Sequence, residues 1–412
     1  MTNPLTGVIA DDFTGATDVA ALLARGGGAV RLLTGDPPPD AGSGAAAIVL
    51  ARKIRTVPPE EAVAAARAAL DALRAAGATR FYWKYCSTFD STPRGNIGPV
   101  AEALMADLGA GWTVHCPAFP QNGRVVRDGR LFVGGVPLAE SPMKDHPLTP
   151  MRDSDLVRLL SPQIRGRAAR LPAGGAPRAQ AEALAADGVS HLLPDAETDA
   201  DLARLGTAFA DRPLLCGGSA FAAAAWGGAP SGGAMRPAVP EAVRAGPVLI
   251  LSGSCSAATR AQVAAFRATG APVIDLDPLT LDDDRLLSCL GDVLARLGAA
   301  PVLVTSTAAP QRLAQIQAAL GAGTASARLE EAMGRMARAA RAAGTSRFVV
   351  AGGETSGAVT AALGAGRLDI LHEIAPGVPW CLAEDAAGPF ALALKSGNFG
   401  GPGFFLEALD LL

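Results

Sequence analysis

At 412 residues the chain exceeds what one hydrophobic core ordinarily fills, about 250 to 300 residues, and so predicts two domains. With 49% hydrophobic and 18% charged residues it is excluded from the disordered class. A net charge of −3 with no run of Lys or Arg argues against a nucleic-acid partner, because the electrostatic footprint for a phosphate backbone is missing.

In chain order the sequence repeats a short Val/Ile/Leu run, a Gly/Ser/Asp turn and an Ala-rich amphipathic stretch, the pattern of βαβ units in parallel sheets. Strands are predicted at 7–10, 47–50, 80–85, 113–116, 248–252, 302–305, 348–351 and 390–394. Helices are predicted at 14–25, 59–76, 98–108, 259–268 and 329–343. Residues 119–149 form a long irregular region in which GRLFVGG reads as a short hairpin strand, and the Gly/Ala/Pro-dense stretch 222–247 reads as a linker, with the domain boundary between 235 and 245. The result is an α/β fold of two domains, 1–240 and 241–412, each with a mostly parallel sheet flanked by helices and with a ligand cleft between them. The N-terminus lacks a basic region followed by an apolar core, so no signal peptide is expected. Ala-rich stretches such as 62–76 are broken by charges before the roughly 18 apolar residues a membrane helix needs. Six scattered Cys without a CxxC pair, and four His without zinc spacing, predict reduced thiols in a cytoplasmic protein.

Several turns after predicted strands carry groups suited to chemistry. After the first comes Asp11-Asp12-Phe13-Thr14-Gly15, two adjacent carboxylates opening a helix. Two acids at a strand's carboxyl end are costly unless a cation or substrate hydroxyls engage them, and either is placed to accept a hydroxyl proton. The plainer alternative is that Asp12 or Thr14 only caps the helix. The turn after 80–85 supplies Lys84, Ser87, Asp90, Arg94 and Asn96, a mixture suited to a ligand bearing a carboxylate and hydroxyls; the plainer alternative is a solvated turn with Asn96 capping the next helix. Lys53 and Arg55 add charge near that edge, as do Asn122, Arg124, Lys144 and His146 from the long irregular region, each of which taken singly suits a surface position as well.

In the second half, Ser252-Gly253-Ser254-Cys255-Ser256, Gly352-Gly353-Glu354-Thr355 and Lys395-Ser396-Gly397 each follow an apolar strand. Small residues let the backbone approach a ligand closely, while Ser hydroxyls and helix N–H groups hold phosphate oxygens. One such turn is weak evidence, since tight turns need Gly anyway, but three in one domain point to a nucleotide. There is no GxxxxGK[ST], no GxGxxG leading to a ribose-binding acid and no GxSxG elbow, so a P-loop NTPase, a conventional dinucleotide enzyme and a serine hydrolase are all unsupported.

These strings together resemble the four-carbon acid sugar kinases. The resemblance rests on IADDFTGATD (9–18), KYCSTFDST (84–92), GNIGPV (95–100), HP and PM within 146–151, DS (153–154), LSGSCS (251–256), VAGGETSG (350–357), PGVPW (376–380) and LKSGNFG (394–400), in the family's order over nearly the whole chain. It implies a sugar-acid-binding domain over 1–240, a nucleotide-binding domain over 241–412, and ATP- and Mg²⁺-dependent transfer to the C4 hydroxyl of a four-carbon acid. The implied acceptor is 3-oxo-tetronate, with D-erythronate or D-threonate as alternatives; a non-catalytic sugar-acid sensor is the rival from another class. On matching positions, Asp11, Asp12, Lys84, Asp90 and Arg94 would face the acid, and Ser252, Ser254, Ser256, Gly352, Gly353, Glu354, Thr355 and Gly397 would touch ATP. Ser87 and Arg55 join the acid-binding set on the character of their loops, and Lys395 is expected near the phosphates. Either Asp12 or Asp11 is the general base, and Glu354 or Asp11 is the candidate metal ligand. The expected partners are small molecules, with neither nucleic acid nor membrane, and self-association is compatible with the sequence.

Overall fold

Strands form where the sequence concentrates Val, Ile and Leu between turn residues. The computed structural model describes residues 4–38, 40–145, 149–227 and 237–412, and the chain divides into two units, 1–235 and 236–412. His146 and residues 228–236 of the expected linker lie outside the described residues.

The first unit carries, in chain order, β1 (Thr6–Ala10), α1 (Phe13–Ala24), β2 (Val30–Leu33), β3 (Ala47–Ala51), α2 (Pro59–Ala75), β4 (Arg80–Lys84), α3 (Ile97–Leu108) and β5 (Thr113–Cys116). There follow β6 (Arg124–Arg127), β7 (Arg130–Val133) and β8 (Val136–Pro137), a small antiparallel sheet that contains the predicted hairpin strand. The unit continues through α4 (Leu156–Leu160), β9 (Ala168–Leu171), α5 (Pro177–Ala186), β10 (His191–Pro194), α6 (Asp199–Phe209), β11 (Leu214–Gly217) and α7 (Ser219–Trp226), which takes up the start of the stretch expected as linker. Its main sheet runs β2-β3-β1-β4-β11-β5-β10-β9 with every pairing parallel.

Burial explains these elements. β1 and β3 are buried throughout, so they read as continuous apolar runs rather than alternating ones. In α2 the buried residues are Ala62, Ala66, Ala69, Leu70 and Leu73, one stripe at helical spacing, with Glu60 and Glu61 in the first turn and Arg74 in the last. Each leucine so covered contributes about 1.5 to 3 kcal/mol. From β1 the chain proceeds to β2 and then β3 on one side, and crosses to β4 on the other. That reversal puts the unit's switch point at the carboxyl ends of β1 and β4.

The second unit contains α8 (Glu241–Arg244), β12 (Val248–Ser252), α9 (Ala257–Ala268), β13 (Val273–Asp275), α10 (Asp283–Arg296), β14 (Val302–Thr305), α11 (Pro310–Leu320), α12 (Ala322–Ala342), β15 (Arg347–Ala351) and α13 (Gly353–Ala362). It ends with β16 (Arg367–Ala375), β17 (Val378–Asp385), β18 (Gly388–Lys395) and α14 (Phe404–Asp410). Strands β13-β14-β12-β15-β18 are parallel, whereas β18-β17-β16 form an antiparallel meander. The β16–β17 turn holds Gly377 at φ +78, which a glycine tolerates without strain. Here too the direction reverses, at β12 and β15, and the parallel ends fall level: Ser252 pairs with both Thr305 and Ala351, and Ala351 with Lys395. Among the described residues no helix is long and apolar enough to cross a membrane.

Candidate active site

At the switch point of the first unit, Ala10 pairs with both Ala51 and Lys84, and Lys84 pairs with Gly217, so four turns leave the sheet side by side. The segment after β3 is drawn over Asp11, whose carbonyl accepts from the amides of Ile54 (3.0 Å) and Arg55 (3.2 Å). The Arg55 guanidinium then forks onto the buried Asp11 carboxylate, Nε to Oδ2 and Nη2 to Oδ1, both at 2.8 Å. Nη2 also lies 2.8 Å from Asp12 Oδ1. Asp11 thus has both oxygens engaged by a bidentate cation. As a base or metal ligand it would first have to break that pair, so the structure does not favour either role expected for it.

Asp12 differs. Its Oδ1 accepts from the Gly15 amide at 2.7 Å, so it does cap α1, and 28% of its side chain remains exposed. Burial, helped by the neighbouring Asp11 carboxylate, raises its carboxyl above the ordinary range against the pull of Arg55 and Lys84. The exposed edge lets water temper that shift. Gly15 is required here, since a Cβ would lie 2.4 Å from Asp12 Oδ1 and 2.8 Å from Lys84 Nζ. Lys84 is buried beside this cluster, and its Nζ donates to the Tyr85 carbonyl at 2.8 Å.

The loop after β4 is tightly tied. Thr88 Oγ1 donates to Asp90 Oδ1 at 2.6 Å and lies 2.9 Å from Cys86 Sγ, whose thiol burial pushes up to about 12. Phe89 is fully buried at φ +55, a conformation uncommon for a non-glycine, and its ring meets Tyr85 edge-on at 5.4 Å between centroids. Ser87 is half-buried next to the turn after β11. Arg94 is exposed, with only its backbone tied, to Thr92 Oγ1. Asn96, expected as a helix cap, makes no capping bond. Lys53 and Lys144 are exposed, and Arg124 turns back to the Asn122 carbonyl beside the small sheet; among the described residues none of these four bonds to Asp12.

Sequence reasoning missed the fourth turn. Gly217-Gly218-Ser219 closes β11 between β4 and β5, where a Cβ on Gly217 would meet the Cys116 carbonyl at 2.1 Å. Ser219 Oγ donates to Asp18 Oδ2 at 2.5 Å, and the Tyr82 hydroxyl donates to the Gly218 carbonyl at 2.7 Å. The available signal was an apolar run followed by Gly-Gly-Ser at a strand-to-helix turn. Beneath the site lie two buried histidines. The Tyr85 hydroxyl is 3.2 Å from His115 Nδ1, and His115 Nε2 is 2.9 Å from His191 Nδ1. Burial lowers the pKa of both, so they are neutral packing groups near pH 7.

In the second unit the three Gly-rich turns converge. A Cβ on Gly253 would sit 2.0 Å from Thr355 Oγ1, one on Gly397 2.2 Å from Ser254 Oγ, and one on Gly352 3.2 Å from the Ser254 amide. Ser256 caps α9, accepting from the Thr259 amide at 3.1 Å, and also donates to the Gly397 carbonyl. Gln262, buried on α9, donates to the carbonyls of Phe399, Gly400 and Gly401, each at 3.0 Å, and fixes the third turn. The N-termini of α9 and α13 open at these turns, where their free N–H groups favour phosphate. Glu354 is exposed on the first turn of α13, 3.4 Å from Ser326 Oγ.

Two features differ from the sequence reading. The turn after β14 joins the site: Thr307 Oγ1 lies 2.9 Å from Ser252 Oγ and donates to the Ser254 carbonyl at 2.9 Å, while buried Ser306 Oγ has no partner among the described residues. Lys395 is buried rather than offered to a phosphate. Its Nζ donates to Thr259 Oγ1 (3.1 Å) and to the carbonyls of Ser396 (3.1 Å) and Gly397 (3.2 Å), and burial brings its pKa down to about 8. An ammonium has three donors, so this one braces the turn from behind.

A family model for a sugar-binding N-terminal domain matches residues 6–225, and one for a nucleotide-binding C-terminal domain matches residues 249–405. A Cupriavidus necator protein named 3-oxo-tetronate kinase is 47% identical, over 99% of this chain and 97% of its own length. Its namesake from Salmonella typhimurium is 41% identical, over 98% of each. Among crystal structures, a Salmonella typhimurium protein provisionally described as a tRNA synthase superposes with a TM-score of 0.89 at 40% identity, over 98% of each chain. A Haemophilus influenzae protein superposes at 0.82 and 39%, over 98% of this chain and 99% of that one. The fold is that of a two-part α/β protein, and the two matches class its parts with the sugar-binding and nucleotide-binding domain families. The chain belongs to the four-carbon acid sugar kinase family.

Proposed function

We propose that this chain transfers the γ-phosphoryl group of ATP to the C4 hydroxyl of 3-oxo-tetronate. The observation that carries the nucleotide half is the convergence of Gly253, Gly352 and Gly397 within contact of Ser254 and Thr355, beneath two helix N-termini. Such a cradle suits phosphate oxygens approaching backbone amides and small hydroxyls. The names of the curated relatives, at 40 to 47% identity over nearly the full chain, supply the acceptor.

Phosphoryl transfer relies mainly on positioning and charge stabilisation. Asp12 is the general base, taking the C4 hydroxyl proton through its exposed edge, while Arg55 keeps Asp11 occupied and Lys84 balances charge. Ser87, Asp90 and Arg94 border the acid's side of the first unit, and the Gly217–Ser219 turn walls it. Gly353 and the Ser252–Ser256 run touch the nucleotide. Mg²⁺ would neutralise charge on the phosphates. Such an ion ordinarily keeps several waters and takes one or two carboxylates besides the phosphates, and Glu354, on the first turn of α13, is the acid that would help hold it. A cytoplasmic location and self-association remain part of this proposal.

Product analysis tests the reading. With Mg-ATP and 3-oxo-tetronate, the phosphorus resonance of the product is expected to couple to the C4 protons. Phosphate on another carbon, or ATP hydrolysis indifferent to the acid, would contradict it.

A further inference from the structure

Asn96 stands at the start of α3, where a short polar side chain ordinarily caps the helix, yet it caps nothing. It is buried, with 3% of its surface exposed, and its Nδ2 donates to the carbonyls of Ile54 (2.6 Å), Arg55 (3.3 Å) and Val57 (3.2 Å). Three carbonyls around one nitrogen fix the amide's orientation, since the flipped form would set oxygen against oxygen. The segment it holds lies between β3 and α2 without regular structure. From the other side the same segment is held by the Asp11 carbonyl, through the amides of Ile54 and Arg55.

Pinned from both sides, the segment has little freedom to slide, and its Arg55 guanidinium is the group that reaches Asp11 and Asp12. A displacement of about 1 Å would break a fork whose distances are 2.8 Å. We infer that Asn96 is a positioning residue for phosphoryl transfer: it fixes Arg55 so that Asp11 stays paired and Asp12 is left oriented toward the acceptor hydroxyl. This rests on the kinase reading above. The charged groups around Asp12 are Asp11 on its own strand end, Arg55 from the pinned segment and Lys84 from β4; the neutral Cys86 thiol lies near Arg55, and the Asp90 carboxylate near that thiol.

A double-mutant cycle separates this role from a general contribution to folding. Asn96→Ala is expected to lower kcat/KM by roughly 10- to 100-fold, chiefly in kcat. On an Arg55→Ala background the same change should cost less than about threefold. Losses that multiply in full would overturn the inference. Asn96→Asp, isosteric but setting a carboxyl oxygen against the three carbonyls, is expected to lose at least as much as the alanine variant, and wild-type activity in it would equally overturn the proposal. If Arg55→Ala fails to fold, Arg55→Lys takes its place in the cycle with the same expectation.

Amide hydrogen exchange supplies a readout independent of catalysis. Ile54 and Arg55 should exchange at least tenfold faster in Asn96→Ala, with the amides of α3 unchanged. Acceleration spread evenly over the unit would mean that Asn96 is merely structural. A wild-type protein without turnover would sink the kinase reading while leaving this exchange test intact.

Discussion

Asp11 and Asp12 are adjacent in sequence and opposite in circumstance. Asp11 is buried and gripped by both arms of Arg55, whereas Asp12 shares one contact with Arg55, caps α1 and keeps an exposed edge. A base must be both reachable and close to its proton donor, so the role proposed for Asp12 follows from where Arg55 sits. Asp12→Asn is expected to lower kcat by about 10² to 10⁴-fold while acid binding changes little. Asn caps a helix as well as Asp does. The sign of the stability change follows from linkage. A folded pKa raised above the unfolded value of 3.8 means the native state binds the proton more tightly, so the ionised carboxylate costs stability at pH values above its folded pKa. The Asn variant should therefore melt at the same temperature or higher near pH 7, and calorimetry beside steady-state kinetics would show both effects. Normal kcat in the variant removes Asp12 from the role. In the wild type the same raised pKa places the acid limb of activity above the ordinary carboxylate range.

At the level of elements, the strand ends organise both sites. Gly253, Gly352 and Gly397 belong to three turns far apart in sequence, and each lacks the Cβ that would strike the hydroxyl or backbone of a neighbouring turn. Gly397→Ala, whose new methyl would meet Ser254 Oγ at 2.2 Å, is expected to weaken ATP binding at least tenfold and to leave acid binding unchanged; titration calorimetry with each ligand checks this, and undiminished ATP affinity would contradict it. The turns themselves were legible, because apolar runs such as Val248–Ser252 and Phe348–Ala351 end in Gly/Ser clusters. Their depth was not. Lys395 looks like a phosphate ligand in sequence, and only the packing of α9 shows its ammonium turned onto Thr259 and the loop carbonyls. Asn96 likewise has the look of a cap, since the carbonyls it serves lie about forty residues away and no local pattern records them. Strands β9, β10 and β11 were missed in a stretch without recognisable motifs, and β11 proves central because it lies between β4 and β5.

For the whole molecule, composition and βαβ rhythm were enough to indicate two α/β parts. The meander β16-β17-β18 was not foreseen beyond its last strand, expected at 390–394, because Val378 to Cys381 are all buried and β17 lacks the in-out alternation that marks an antiparallel strand. Each unit independently sets its candidate ligand groups at the carboxyl ends of parallel strands beside a reversal of strand order, which is where open α/β sheets bind. The candidate acids, 3-oxo-tetronate, D-erythronate and D-threonate, differ by one keto group or one stereocentre, so a few contacts are enough to decide among them. ADP release by the purified chain with Mg-ATP, against a panel of 3-oxo-tetronates, D-erythronate and D-threonate, tests the central claim most directly. The account predicts that a 3-oxo-tetronate gives the highest kcat/KM; preferential turnover of erythronate or threonate would contradict the assigned substrate, and tight acid binding with no turnover of any of them would contradict the kinase itself.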